Sequence, residues 1–388
     1  MKYWRGYLVA AIFAAITWGM TQFAAGHRVL MDMIYPYVSR LMLTTLAEWS
    51  GGVSFGVWQA LLGGLIAAGV VTVILMIILR WNPVQWFGWI LATVSGIAML
   101  NMLVFGLNAY AGPLADDVRL QVMDYTVSEL NEAAVFFRDK ANELAGSVQR
   151  DADGYANSGS FEEVSQKVAA GFEKLTYEEA ISVYAGSTVP VKKMGWGAAK
   201  GKSGTVIPLT GEALVNEDTP APALPFAMCK EMAHRMSIYS EADGNFAAFM
   251  ACMHNPDPGI QYAGYLMAYK YCYDALKSVP TSTAQACAET TALGVNALLK
   301  KDLTVCNEFY GTSQTETGVN TVDESAQSRS LEEGSLVTFS EYSDVSDLLA
   351  SWYVQTFILP LHVEEEKPFD PYDPTQVDLS GIVNAGGN

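Results

Sequence analysis

Basic side chains are scarce in this chain: 388 residues include 23 Lys and Arg against 41 Asp and Glu, a formal net charge of −18. Nucleic-acid binding needs clustered cations facing phosphates, so no nucleic-acid partner is expected. Cysteine is also rare. The five present (Cys229, Cys252, Cys272, Cys287 and Cys306) show no C-x-x-C spacing, which argues against a thiolate zinc cluster. A disulfide such as Cys287 with Cys306 stays open, and burial as small hydrophobes is the expected state of most of the five. No Gly-rich phosphate loop or nucleophile elbow occurs, so no nucleotide ligand is expected, and nothing supports a Ser–His–Asp triad.

Charge is missing altogether from three long runs, 6–26, 53–79 and 81–115. About 20 apolar residues cross a bilayer as a helix, so these predict spanning helices at about 6–26, 53–79 and 84–111, a membrane anchor over 1–115. A signal peptide competes for the first run, but no A-x-A site followed by a polar mature start is evident. Trp81, Trp86 and Trp89 suit an interfacial aromatic belt. Residues 35–50, with Arg40 and Glu48, read as an amphipathic interfacial helix. Lys2, Arg5 and Arg80 favour a cytoplasmic N-terminus, although Arg28 and Arg40 oppose it. Three spans then put everything after 115 on the outer face of the cell membrane. The acidity of that part agrees, since residues 1–115 carry +3 and the remainder −21. A transporter or channel is disfavoured, because the spans lack a charge at mid-membrane.

The second part, 116–363, reads as mainly α-helical. Helical spacing of apolar residues appears over 116–150, 161–181, 226–253, 259–277, about 283–301 and about 342–355. Residues 186–225, dense in Gly, Pro and Thr, predict a loop or short hairpin. The tail 364–388 is acidic, contains proline and reads as extended.

The run FAMCKEMAHR at 226–235 nearly spells H-E-x-x-H. In that motif two imidazoles at i and i+4 share one helix face and one Zn²⁺, while the Glu works on a metal-bound water. Here Glu231 and His234 keep their places, but Lys230 stands at the first ligand position, and an ammonium has no lone pair to donate. The tetrapeptide alone carries almost no information; an ordinary solvated helix face is the competing reading.

Context adds to it. SGTVIPLTGEALVN at 203–216, ALPFAMCKEMAHR at 223–235, SEADGNFAAFMAC at 240–252 and IQYAGYLMAYKYCYDAL at 260–276 resemble the core of a bacterial, membrane-anchored, zinc-metallopeptidase-like family, catalogued as domain of unknown function 3810. The resemblance implies a gluzincin-like helical domain outside the membrane, carried on three spans, that acts on peptides or proteins and uses zinc. It further implies Glu231 as general base and His234 as a zinc ligand, with Asp243, or in second place Glu241, as the acidic ligand and Asn245 bracing it. Lys230 and Gly244 depart from the pattern, which has His and Ala there. Lys230 is therefore not expected to bind metal, and hydrolysis is expected to be impaired. A non-catalytic pseudo-peptidase holding a peptide or cell-envelope partner is the alternative. With metal absent, the Lys230 ammonium could fill the vacancy between Glu231 and Asp243 and pair with them. Glu212 and Asn216 resemble the edge element that substrates lie against, or form a turn with Thr210 and Gly211. Asp243 could equally be a helix cap. Tyr265 is a possible oxyanion donor, although core packing is the default for the tyrosines of 262–273. His254 suits a helix C-terminus.

Overall fold

A computed structural model describes residues 4–316, save 54, 124, 187, 188 and 200, together with 342 and 344–360. The tail 364–388 lies outside the described residues. The chain is mainly helical. Four long helices come first: α1 (Arg5–Gly26), α2 (Arg28–Gly51), α3 (Val57–Ile78) and α4 (Pro83–Val104). After a 3-10 turn at Gly106–Tyr110 come α5 (Leu114–Asp117), α6 (Val127–Ala145), α7 (Phe161–Lys167) and α8 (Ala169–Tyr177). A small sheet follows, made of β1 (Lys192–Lys193), β2 (Gly204–Ile207) and β3 (Glu212–Val215). The rest is α9 (Leu224–Arg235), α10 (Glu241–His254), α11 (Pro258–Ser278), α12 (Ser282–Leu293), α13 (Ala297–Glu316) and α14 (Val345–Tyr353).

Three helices, α1, α3 and α4, are long and apolar enough to cross a membrane. The last is shorter than the expected 84–111, because backbone geometry changes at Phe105 and the chain continues as the 3-10 turn. Asn82 caps α4 through Oδ1, which accepts from the amides of Val84 and Gln85. Helices α1 and α4 run parallel: Gly6 lies on the backbone of Gly88, and Phe13 lies on Gly96. At Gly6 a Cβ would come within 2.4 Å of the Gly88 carbonyl carbon, so only a glycine lets the two helices meet there. Helix α3 buries none of its residues against the rest of the chain. Such an apolar surface is at home in hydrocarbon rather than water.

The interfacial helix expected at 35–50 is longer than the charge pattern indicated. It runs unbroken through Pro36 from Arg28 to Gly51. One face buries Met31, Tyr35, Leu43 and Ala47, while Val29, Met33 and Leu41 on the other stay exposed. Arg40, one of the two charges expected on the outer side, is buried. Its Nη1 donates to the carbonyls of Ser182, Val183 and Ala185 at 2.6, 3.0 and 3.3 Å. Helix α2 is therefore packed into the following domain as much as it belongs to the anchor.

The stretch 116–150 is not one helix. Arg119 adopts φ 57°, and the chain turns before Thr126 starts α6 with a reciprocal capping box to Glu129. The 186–225 region forms the expected hairpin, with β2 antiparallel to β3 (Gly204 opposite Val215) and β1 parallel to β3. Its turn needs Gly211, which has φ 65°; a Cβ there would also lie 2.4 Å from the carbonyl oxygen of Leu43 in α2. Beneath the sheet, α9, α10 and α11 pack side by side, and α6 covers α11.

Tyr265 belongs to this core. Its ring meets Phe136 and Phe249 edge-on at centroid distances of 6.4 and 6.1 Å, in a cluster with Phe137 and Trp352. This is the core packing expected by default for the tyrosines of 262–273. Below it, the fully buried Asp302 accepts from Tyr262 (2.6 Å) and the Ala156 amide (3.1 Å) and pairs with Arg150 at 3.2 Å. All five cysteines are free thiols. Cys287 and Cys306 are unpaired, and Cys229 Sγ lies 3.6 Å from Cys252 Sγ between α9 and α10.

Candidate functional site

Helix α9 carries Lys230, Glu231 and His234 on the side that meets the sheet and the start of α10. The helix ends at Met236, and Ser237 takes the left-handed φ of 76°. That turn brings the Ile238 carbonyl back over the last turn of α9, 2.8 Å from His234 Nδ1. A carbonyl only accepts, so Nδ1 carries a proton, and whenever the ring holds a single proton Nε2 presents a lone pair. Nε2 has no hydrogen-bond partner among the described residues; its nearest ionisable neighbour is Glu241 Oε1 at 3.7 Å.

Glu231 is almost wholly buried, with 1% exposed. Neither carboxylate oxygen accepts a hydrogen bond from a described residue, and Lys230 Nζ stands 3.5 Å from Oε1. The same Nζ donates to Glu241 Oε2 at 3.0 Å. Lys230 thus bridges a buried acid on its own helix and an acid of the next helix whose side chain is 74% exposed. Burial works against the Lys230 ammonium, but Glu231 and Glu241 outweigh it and hold its pKa above the ordinary value. Burial raises Glu231 despite the opposing charges of Lys230 and His234. At Glu241 burial also acts upward, but Lys230 and His234 prevail and the net shift is downward.

Two glycines make room for this arrangement. A Cβ at Gly204 on β2 would lie 2.5 Å from Glu231 Cγ and 2.6 Å from the Leu214 carbonyl oxygen; one at Gly244 on α10 would lie 2.7 Å from His234 Cε1. Gly244→Ala is therefore expected to push the imidazole off Ile238 and lower stability by about 1–3 kcal/mol. Thermal unfolding checks this, and an unchanged melting temperature would contradict the packing described.

The acids of α10 separate. Ser240 caps the helix, its Oγ accepting from the Asp243 amide at 3.0 Å, so Asp243 is not the cap. Glu241, the second choice as acidic partner, is the one beside Lys230 and His234. Asp243 turns away and accepts a hydrogen bond from the Tyr342 hydroxyl. Asn245 accepts from Tyr271 Oη at 3.2 Å. His254 lies in the last turn of α10, where basic groups suit the helix dipole, and its ring bonds the Met250 carbonyl.

Glu212 and Asn216 serve the scaffold. Glu212 accepts from the amides of Val57 and Trp58 (both 2.8 Å), Lys192 Nζ (2.9 Å) and Thr210 Oγ1 (2.9 Å). It fastens the N-terminus of α3 to the sheet, with both oxygens occupied. Asn216 Nδ2 donates to the carbonyls of Ala199 and Lys202, bracing the loop before β2. Sequence reasoning missed Tyr310 on α13. Burial raises its pKa, and its hydroxyl is electrostatically coupled to both Lys230 and Glu231. Nothing local marks it, because α13 is brought to the site only by the tertiary fold.

These features define a class: a mainly helical domain joined to three membrane-length helices, with a lysine–diacid cluster under a small sheet. The chain belongs to the family described as protein of unknown function DUF3810, whose model matches residues 31–349. No curated protein and no solved structure matches it.

Proposed function

We propose that this protein is a membrane-anchored pseudo-peptidase, which holds a peptide or cell-envelope partner in a gluzincin-like cleft at the outer face of the membrane without cutting it. One observation carries this reading: Lys230 Nζ stands 3.0 Å from Glu241 and 3.5 Å from Glu231, at the sequence position of the first ligand. The residues present do not fit a zinc ion. Among the described residues the donors here are one imidazole nitrogen and the Glu231 and Glu241 carboxylates, both beside the Lys230 ammonium, which repels a divalent cation.

The competing reading, a metallopeptidase homologue with weakened activity, draws support from the unpartnered atoms of Glu231 and His234. Both readings place the N-terminus in the cytoplasm. The parallel course of α1 and α4 fits that arrangement, because three spans put the N-terminus and the domain on opposite sides.

Metal analysis of the full chain, purified in detergent with zinc supplied, separates the readings. The expected result is zinc well below stoichiometric and unchanged in His234→Ala, with candidate peptides recovered intact. Stoichiometric zinc that disappears in His234→Ala would overturn the pseudo-peptidase reading.

A further inference from the structure

A cavity of about 1050 Å³ lies between the start of α2, the residues following α4 and the turn from α9 into α10, on the far side of α10 from Lys230. Its walls carry four carboxylates, Asp32, Asp116, Asp117 and Asp243, against one guanidinium, Arg28. Acids alone would define only a solvated surface. Two further wall residues, Asn108 and Ser237, are 4% and 6% exposed, and Asn108 Oδ1 and Ser237 Oγ lack hydrogen-bond partners among the described residues. A buried polar atom left unsatisfied costs roughly 1–3 kcal/mol, so a bound group that supplies the partner is favoured. Partial burial, and then the charge of Asp32, push the Asp117 carboxyl above its ordinary value against the opposing charge of the buried Arg40.

The position narrows the ligand. Arg28 is two residues beyond the end of α1, and the 108–113 wall begins four residues beyond the end of α4, so the mouth lies where two membrane-length helices end together. Val29 and Met33, 75% and 67% exposed, continue from the cavity along the outward face of α2. An apolar strip leading from an acidic hollow matches acyl chains leading from a cationic head. The acceptor Asn108 Oδ1 calls for a hydrogen-bond donor, which a primary ammonium is and a quaternary one is not. Arg28, on the same wall, carries the charge that a phosphate would pair with.

We infer that this cavity binds the primary-amine headgroup of a membrane phospholipid, with the ammonium among the aspartates and the acyl chains along α2. This assignment is independent of the reading given to Lys230.

The test reconstitutes the full chain in bilayers of equal phosphatidylethanolamine and phosphatidylcholine and measures retained lipid by mass spectrometry. Retention of the ethanolamine lipid is expected to exceed that of the choline lipid by about tenfold, the size of one charge-assisted hydrogen bond. Asp116→Asn with Asp117→Asn should abolish the preference while the protein still unfolds in one cooperative thermal transition, its midpoint lowered by no more than the loss of the Asp117 charge facing Arg40. Equal retention in the wild type, or a preference that survives the double substitution, overturns the assignment. Binding of free phosphoethanolamine without any lipid preference likewise overturns it, in favour of a soluble amine.

Discussion

Replacing Lys230 with His is expected to give a protein that binds about one zinc ion per chain, where the unsubstituted protein is expected to hold well below one. The introduced imidazole would sit four residues before His234 on the same face of α9. His234 is already oriented, with Nδ1 fixed by the Ile238 carbonyl and Nε2 free, the arrangement that sets a metal-binding tautomer. Glu241, 3.7 Å from Nε2, would supply the third ligand once its lysine partner is gone. Zinc content by mass spectrometry reads the result, and a Glu241→Gln change in the same background should remove the ion again. If K230H takes up no zinc, the idea of a vacated metal site fails.

Lys230→Met tests the other half of the same cluster. Without the ammonium, Glu231 loses the largest charge that lowers its pKa, so an already raised value rises further. A raised carboxyl contributes stability that is full below its unfolded value, about 4.5, and is lost as pH climbs through its folded value. Glu241, depressed in the wild type, contributes above its unfolded value, and Lys230→Met removes much of that gain. Both effects have one sign: the variant should match the wild type near pH 4 and fall behind as pH approaches neutrality. A stability gap independent of pH would show that the three groups are not coupled.

Glu212→Gln should be the most damaging change outside the cluster. Glu212 is 2% exposed and accepts from four donors, two of them amides at the start of α3. The amide side chain keeps one acceptor oxygen and leaves Lys192 without its counter-charge. A loss of about 3–5 kcal/mol is expected, the usual cost of stranding one partner of a buried ion pair. Thermal unfolding reports the loss. Faster proteolysis between α2 and α3 would localise it, because the same carboxylate ties membrane helix to sheet. A substitution with no effect on either measurement would make Glu212 an incidental neighbour.

Several features were written directly in the chain. Uncharged runs longer than a bilayer is thick can hardly be anything but membrane-length helices, and α1 and α3 lie where those runs lie. Helical spacing marked most of the domain, and Gly, Pro and Thr marked the hairpin, because these signals are local. Breaks such as Arg119 and Ser237 were not legible, since the left-handed backbone there is imposed by packing on residues that do not prefer it. The KEMAH run located the candidate site, since residues four apart on a helix must share a face.

Which groups meet Lys230 was decided only in three dimensions. Glu241 and Asp243 are two residues apart at the start of one helix, so they point in different directions, and the angle between α9 and α10 selects Glu241. Glu212 read either as a cleft residue or as part of a turn with Thr210 and Gly211, and its tie to α3 was hidden because that helix lies some 150 positions earlier in the chain. Tyr310 went unmarked for the same reason: proximity in the folded chain is set by which apolar faces pack together, and a tyrosine carries no local mark of whether it will line a core or a cluster of charges.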